Sequence, residues 1–173
     1  MKNNTNKLFI VCGIPFSGKT VLSKELAKVR GFIRVDLDEV KFDLYGRDVK
    51  DDDLEQKDWD LIYQEMYKKI RNLLKEGKTV VHDTGNFTKY ERNLVGEIAD
   101  KLGIDSYTVF VDTPKKIALQ RMIENRRNNQ RFDVTDANFE SAVEEMEPPQ
   151  KDENLLVFHY DEDMGKWIRE LRV

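Results

Sequence analysis

The stretch Gly13-Ile14-Pro15-Phe16-Ser17-Gly18-Lys19-Thr20 satisfies G-x-x-x-x-G-K-[ST] at every fixed position. Glycines at those places let the backbone turn tightly and aim successive N–H groups at anionic oxygens. Lys19 adds a point charge where the β and γ phosphates of ATP lie, and the Thr20 hydroxyl can ligate Mg²⁺. A helix running from Thr20 would direct its positive dipole end at the same phosphates. All eight residues are therefore expected to cradle a nucleotide, with Lys19 also acting on the transferring phosphoryl group.

The flanks fit the motif. Leu8-Phe9-Ile10-Val11 before it is a short continuous apolar run, the pattern of a strand buried on both faces. After it, Val21 to Arg30 reads as a helix with Leu22, Leu26 and Val29 on one side. The alternation continues along the chain. Phe32 to Val35, Thr79 to Val81, Tyr107 to Val111 and Leu155 to Phe158 read as strands. Between them, Trp59, Ile62, Tyr63, Met66, Ile70 and Leu73 recur at helical spacing up to Gly77, and Leu94, Val95, Ile98 and Leu102 mark the next helix. Ile117 to Arg127, Asp136 to Met146 and a closing helix around Trp167, Ile168 and Leu171 complete the set. Strands alternating with helices predict an α/β fold, a three-layer sandwich with a mostly parallel five-stranded sheet. No repeat or flexible linker divides the chain, so residues 1–173 are expected to form one domain, with an arginine-rich lid at about 121–134.

Composition narrows the class. The chain has 173 residues, 39% hydrophobic and 36% charged, which is a globular composition. No apolar run reaches the roughly 18 residues of a membrane span, and Met1 to Lys7 lacks signal-peptide character. The single cysteine, Cys12, fits a small core residue in a reducing cytoplasm. A net charge of -4 argues against a dedicated nucleic-acid binder.

A P-loop specifies a nucleotide and leaves the reaction open. Val80-Val81-His82-Asp83 ends the third strand with an acid, where Asp83 would hold magnesium or else cap the next turn. His82 reads as a locally satisfied histidine. Asp36-Leu37-Asp38-Glu39-Val40-Lys41 follows the second strand, and strand ends of such sheets converge on one crevice. Asp38 there could accept the proton of an attacking hydroxyl, or cap a helix over Glu39 to Leu44. Arg121, Arg126, Arg127 and Arg131 form an arginine-rich run suited to neutralising a transferring phosphoryl group, or to a solvated helix face.

Together these residues resemble the predicted-kinase branch of the P-loop superfamily, an ATP-binding AAA-type kinase-like domain. That branch includes polynucleotide 5′-hydroxyl kinases and, more loosely, chloramphenicol phosphotransferase. The likeness rests on Asp38-Glu39-Val40-Lys41 with Leu44-Tyr45-Gly46, His82-Asp83-Thr84 with Asn86 and Arg92, Asp112-Thr113-Pro114 with Arg121, and Glu147-Pro148-Pro149 with Glu153. It implies Asp38 as base, Thr20 and Asp83 at a magnesium site, Arg121 with Arg126 or Arg127 in the lid, and Asp38, Lys41 and Arg92 toward the substrate. Lys41 stands where polynucleotide kinases carry an arginine, and lysine lacks the planar two-point grip on phosphate.

The segment from Asp36 to Asp60 carries eleven acids against four bases, a net of -7. A polyanion entering there would meet repulsion that a neutral or cationic hydroxylated molecule would not. The sequence therefore predicts an ATP- and Mg²⁺-dependent phosphotransferase acting on a small-molecule hydroxyl. A polynucleotide 5′-hydroxyl kinase is the first alternative, and an ATP-binding module or NTP hydrolase without an acceptor the second.

Overall fold

A computed structural model describes residues 5–128 and 134–172. In chain order the elements are β1 (Leu8–Cys12), α1 (Lys19–Arg30), β2 (Ile33–Asp36), α2 (Leu37–Tyr45), α3 (Gln56–Lys75), β3 (Val80–Asp83), α4 (Lys89–Asp100), β4 (Ser106–Asp112), α5 (Lys115–Asn128), α6 (Asp136–Glu145), β5 (Leu156–His159) and α7 (Met164–Glu170). Single 3₁₀ turns at Asp51–Asp53 and Lys151–Glu153 interrupt the connections.

The sheet order is β2-β3-β1-β4-β5, and all four neighbouring pairs are parallel. The expectation of a mostly parallel sheet thus becomes an entirely parallel one. β1 is central, which explains its unbroken apolar run. Its alternate residues serve opposite faces: Leu8 and Ile10 enter one core with α3 and α4 residues such as Ile62, Met66, Ile70, Val95 and Ile98. Phe9 and Val11 enter a second core with Leu22 and Leu26 of α1 and Ile168 of α7. Helices therefore cover both faces, as a parallel sheet requires. A third, smaller core joins Ile14 and Phe16 of the P-loop to Ala118, Met122 and Phe139 of α5 and α6.

Element ends are set by local chemistry. Thr88 and Glu91 make a reciprocal capping box that starts α4 several residues before its apolar stripe. Asp36 caps α2 through its side chain, accepting from the Glu39 N–H at 2.9 Å. The capping role considered for Asp38 therefore belongs to Asp36, and the helix begins two residues earlier. Val29, expected on the same side of α1 as Leu22 and Leu26, is 47% exposed in the last turn of the helix. No helix among the described residues is long and apolar enough to cross a membrane.

Candidate active site

The P-loop leaves the C-terminal end of the central strand. Gly13 has φ +147°, and a Cβ there would sit 2.9 Å from both Ser17 Oγ and the Val111 carbonyl, so only glycine fits. Phe16 adopts φ 60°, a strained conformation for a bulky residue. Two features hold it: its ring is buried in the third core, and its carbonyl accepts from Arg121 at 3.3 Å. The Ser17 carbonyl accepts from Arg121 Nη1 at 2.7 Å and from Thr113 Oγ1 at 2.8 Å. Carbonyls of Phe16 and Ser17 are thus engaged by Arg121 of α5 and by Thr113 in the turn after β4.

The start of α1 has the properties of an anion site. Side chains cap α2, α4, α6 and α7 at their N-termini. By contrast, α1 starts after Gly18, at φ 111°, with no side-chain cap. Its first N–H groups are the orphans that a phosphate would satisfy. Ser17 Oγ is buried without a hydrogen-bond partner among the described residues. Lys19 Nζ folds back to donate to the carbonyls of Gly13 at 2.7 Å and Ile14 at 2.9 Å, and lies 5.8 Å from the Phe87 ring centre. Thr20 is half-buried in the first turn of the same helix. Open N–H groups, an orphan hydroxyl and a local cation fit nucleotide phosphates.

Carboxylates gather beside the loop. Parallel register sets Asp36 of β2 opposite Asp83 of β3, and β3 is the neighbour of β1. Arg34, on the same face of β2 as Asp36, donates from Nε to Asp83 Oδ2 at 2.7 Å and pairs through Nη2 with Asp36. Burial raises the Asp36 pKa, against the opposing pull of the Glu39 N–H and of Arg34. Among the described residues no group of three or more His, Cys, Asp or Glu is placed to hold a metal. A magnesium site completed by phosphates and water needs only one or two protein ligands, and Thr20 with Asp83 are the residues present for it.

Asp38 lies in the first turn of α2 with its side chain 62% exposed, and Oδ1 accepts from Lys41 at 2.9 Å. Lys41 is buried and also bonds Asp51 at 2.7 Å, with Phe42 and Trp59 rings 5.1 and 5.8 Å from its ammonium. Burial pushes the Lys41 pKa down, but hydrogen bonds to Asp51 and Asp38 outweigh it and the net shift is upward.

The remaining expected site residues are arginines and buried core groups. Arg92 is 2% exposed; it pairs with Glu153 at 2.6 Å and donates to the carbonyls of Asn86 and Phe87 at 3.1 and 3.0 Å. The resemblance implies a substrate-facing role for it, and in the structure its guanidinium pins the loop after β3 to the C-terminal segment. Arg126 bonds the Val134 carbonyl and Asp136, bracing α5 against α6, while Arg127 is exposed. Arg131 lies outside the described residues, as does most of the lid beyond α5. His82 is buried and neutral: burial pushes its pKa down to about 3, and its ring contacts Asn86 and the Met66 sulfur. Cys12 is a core residue whose thiol burial pushes up to about 12.

Two contributors escaped the sequence reading. Arg34 carried one signal, a charge two residues before Asp36 in an otherwise apolar strand, hence on its face. Thr113 sits in the Asp112-Thr113-Pro114 turn, and nothing in the sequence marked its hydroxyl for a P-loop carbonyl 96 residues away.

A sequence model of the AAA domain family matches residues 8–149. Shikimate kinase of Clostridium botulinum (strain Loch Maree / Type A3) is 29% identical over 124 residues, covering 66% of this chain. The match spans 64% of that relative's length, just under two thirds. Among solved structures, a candidate kinase from Chloroflexus aurantiacus j-10-fl superposes with a TM-score of 0.75 at 18% identity, over 95% of this chain and 96% of the other. Kti12 of Chaetomium thermophilum, solved in complex with ADP-AlF3, gives 0.71 at 20% identity, over 94% of each chain. With its P-loop, entirely parallel sheet and flanking helices, this chain belongs to the AAA domain family and has the fold of P-loop kinases.

Proposed function

We propose that the chain works as one kinase domain that moves the γ-phosphoryl group of ATP to a hydroxyl of a small molecule in the cytoplasm. The observation that carries this reading is the convergence of three neighbouring strand ends. β1 delivers the uncapped P-loop helix and Lys19, β3 delivers Asp83, and β2 delivers Asp36 with Asp38 just beyond it. A donor cradle and an acceptor-side carboxylate at one crevice are what phosphoryl transfer to an alcohol needs.

Each residue then has a task. The N–H groups from Gly13 to Thr20 bind the phosphates, and Lys19 exchanges its two carbonyl partners for phosphate oxygens. Thr20 and Asp83 would hold Mg²⁺, which when bound offsets phosphate charge. Both Asp36 oxygens are engaged, one by the Glu39 N–H and one by Arg34, whereas among the described residues Asp38 has only Oδ1 engaged, by Lys41. Asp38 is therefore the carboxylate suited to accept the hydroxyl proton while the nucleophile is aligned. Arg121 holds the loop carbonyls and supports the cradle's shape, and Arg127, exposed on α5, is the lid arginine assigned to the phosphoryl group.

The small-molecule preference is supported by Lys41. Its charge is shared by Asp38 and Asp51, so it offers no free cation for a substrate phosphate. The similarity to shikimate kinase points the same way. The test is γ-labelled ATP with Mg²⁺ against a panel of neutral and cationic hydroxylated metabolites and 5′-hydroxyl oligonucleotides. Label in a small molecule is expected. Label confined to oligonucleotides would establish the polynucleotide alternative, and label released only as inorganic phosphate the hydrolase one.

A further inference from the structure

The cluster of Arg34, Asp36 and Asp83 has an unusual charge arrangement for its place. Adjacent parallel strands lie about 4.8 Å apart, and register sets the two aspartates directly opposite. Their side chains are 13% and 3% exposed, so repulsion between two ionised carboxylates there is poorly screened. Arg34 answers it from within β2. Its rigid fork reaches Asp83 Oδ2 from both Nε and Nη2 at 2.7 Å, and the same Nη2 pairs with Asp36 Oδ2. One guanidinium thus bridges two carboxylates in the way a divalent cation would.

A buried ion cluster is a poor source of stability, since well-packed apolar residues in its place are often neutral or better. Fold stability alone therefore does not account for three charges at the sheet end beside the P-loop. We propose that Arg34 is a positioning residue that holds Asp36 and Asp83 together in the nucleotide-free protein, occupying the cation's role until Mg²⁺ arrives with ATP. This rests on the kinase reading, because that reading places magnesium at Asp83.

The consequence is specific. Without Arg34, the paired carboxylates repel, and free Mg²⁺ becomes able to relieve them in the absence of nucleotide. The experiment is thermal unfolding of the full nucleotide-free chain, with and without millimolar MgCl₂. Wild type is expected to melt at the same temperature in both. Arg34→Met should melt lower by roughly 6 °C or more without metal, and recover at least half of that loss with Mg²⁺. Arg34→Met combined with Asp83→Asn should melt near wild type and ignore Mg²⁺, because the repulsion is gone. If Arg34→Met fails to fold, Arg34→Lys serves in its place: one ammonium cannot bridge both carboxylates as a fork does, so a partial Mg²⁺ response is expected. A destabilised variant that Mg²⁺ does not rescue would reduce Arg34 to a structural tie, and a variant that melts like wild type would remove it altogether. Neither result bears on the label-transfer panel. Conversely, a Mg²⁺-rescued variant without any kinase activity in wild type would sink the kinase reading alone.

Discussion

In the P-loop, recognition is carried by the backbone, and side chains serve to hold the backbone in shape. Arg121 and Thr113 bind its outward carbonyls, Phe16 is wedged into a core with α5 and α6, and glycines supply the turns. Segment 36–60 reverses this. Its backbone is ordinary helix and turn, and its side chains carry the charge: Asp36 and Asp58 cap helices, Asp38 and Asp51 share Lys41, and Glu39 meets Arg47. The difference teaches where each half can vary. A backbone cradle accepts any nucleotide phosphate and is lost by changing a glycine. A region built from side-chain charges, the proposed acceptor side, would be retuned by a single charge.

The largest expected effect tests the donor half. Lys19→Ala should lower phosphoryl transfer by about 10²–10³-fold, the loss typical when one preorganised charge or donor is removed. It should also weaken ATP binding in titration calorimetry. Unchanged ATP affinity would mean that Lys19 remains on the Gly13 and Ile14 carbonyls when nucleotide binds.

Next in size is the floor shared by both halves. His82 precedes Asp83 on β3 and is neutral and buried, with its pKa depressed to about 3 from 6.5. Below pH 6.5 the unfolded chain takes up a proton that the folded chain refuses, so stability falls as pH drops. The slope should be about 1.4 kcal/mol per pH unit from that residue, down to roughly pH 3. Urea unfolding at several pH values should show His82→Gln with a correspondingly flatter decline. Parallel curves would place the acid sensitivity in the carboxylates instead.

The smallest effect sharpens the acceptor half. Asp51→Asn removes one of the two carboxylates on buried Lys41, but the amide oxygen can still accept from its ammonium and Asp38 keeps the charge paired, so little stability is lost. The expected change is functional. Inorganic phosphate should inhibit the variant a few-fold more strongly than wild type, because Lys41 regains a usable charge. Equal inhibition would show that Lys41 does not face the acceptor.

Much of this was legible in the sequence because its signals are local. A continuous apolar β1, the helical stripe of α3 and the fixed positions of the P-loop each lie within one element. What was not legible depends on pairs brought together by the fold. Arg34 meets Asp83 across 49 positions, and Arg92 meets Glu153 across 61. The resemblance points Arg92 toward the substrate, and nothing local to it in the sequence marks Glu153 as its partner. The exchange of capping between Asp36 and Asp38 is a different failure: both residues have the chemistry, and the strand's length decides which one reaches the helix start.

The claim that the two halves are separable, with chemistry at their junction, is tested most directly by Asp38→Asn measured for ATP affinity and for transfer in one preparation. The account expects a dissociation constant within about twofold of wild type, with transfer to the small-molecule acceptor reduced at least about tenfold, as for loss of a general base. Transfer at the wild-type rate would remove Asp38 from the mechanism, and ATP affinity falling in step with transfer would contradict the separation itself.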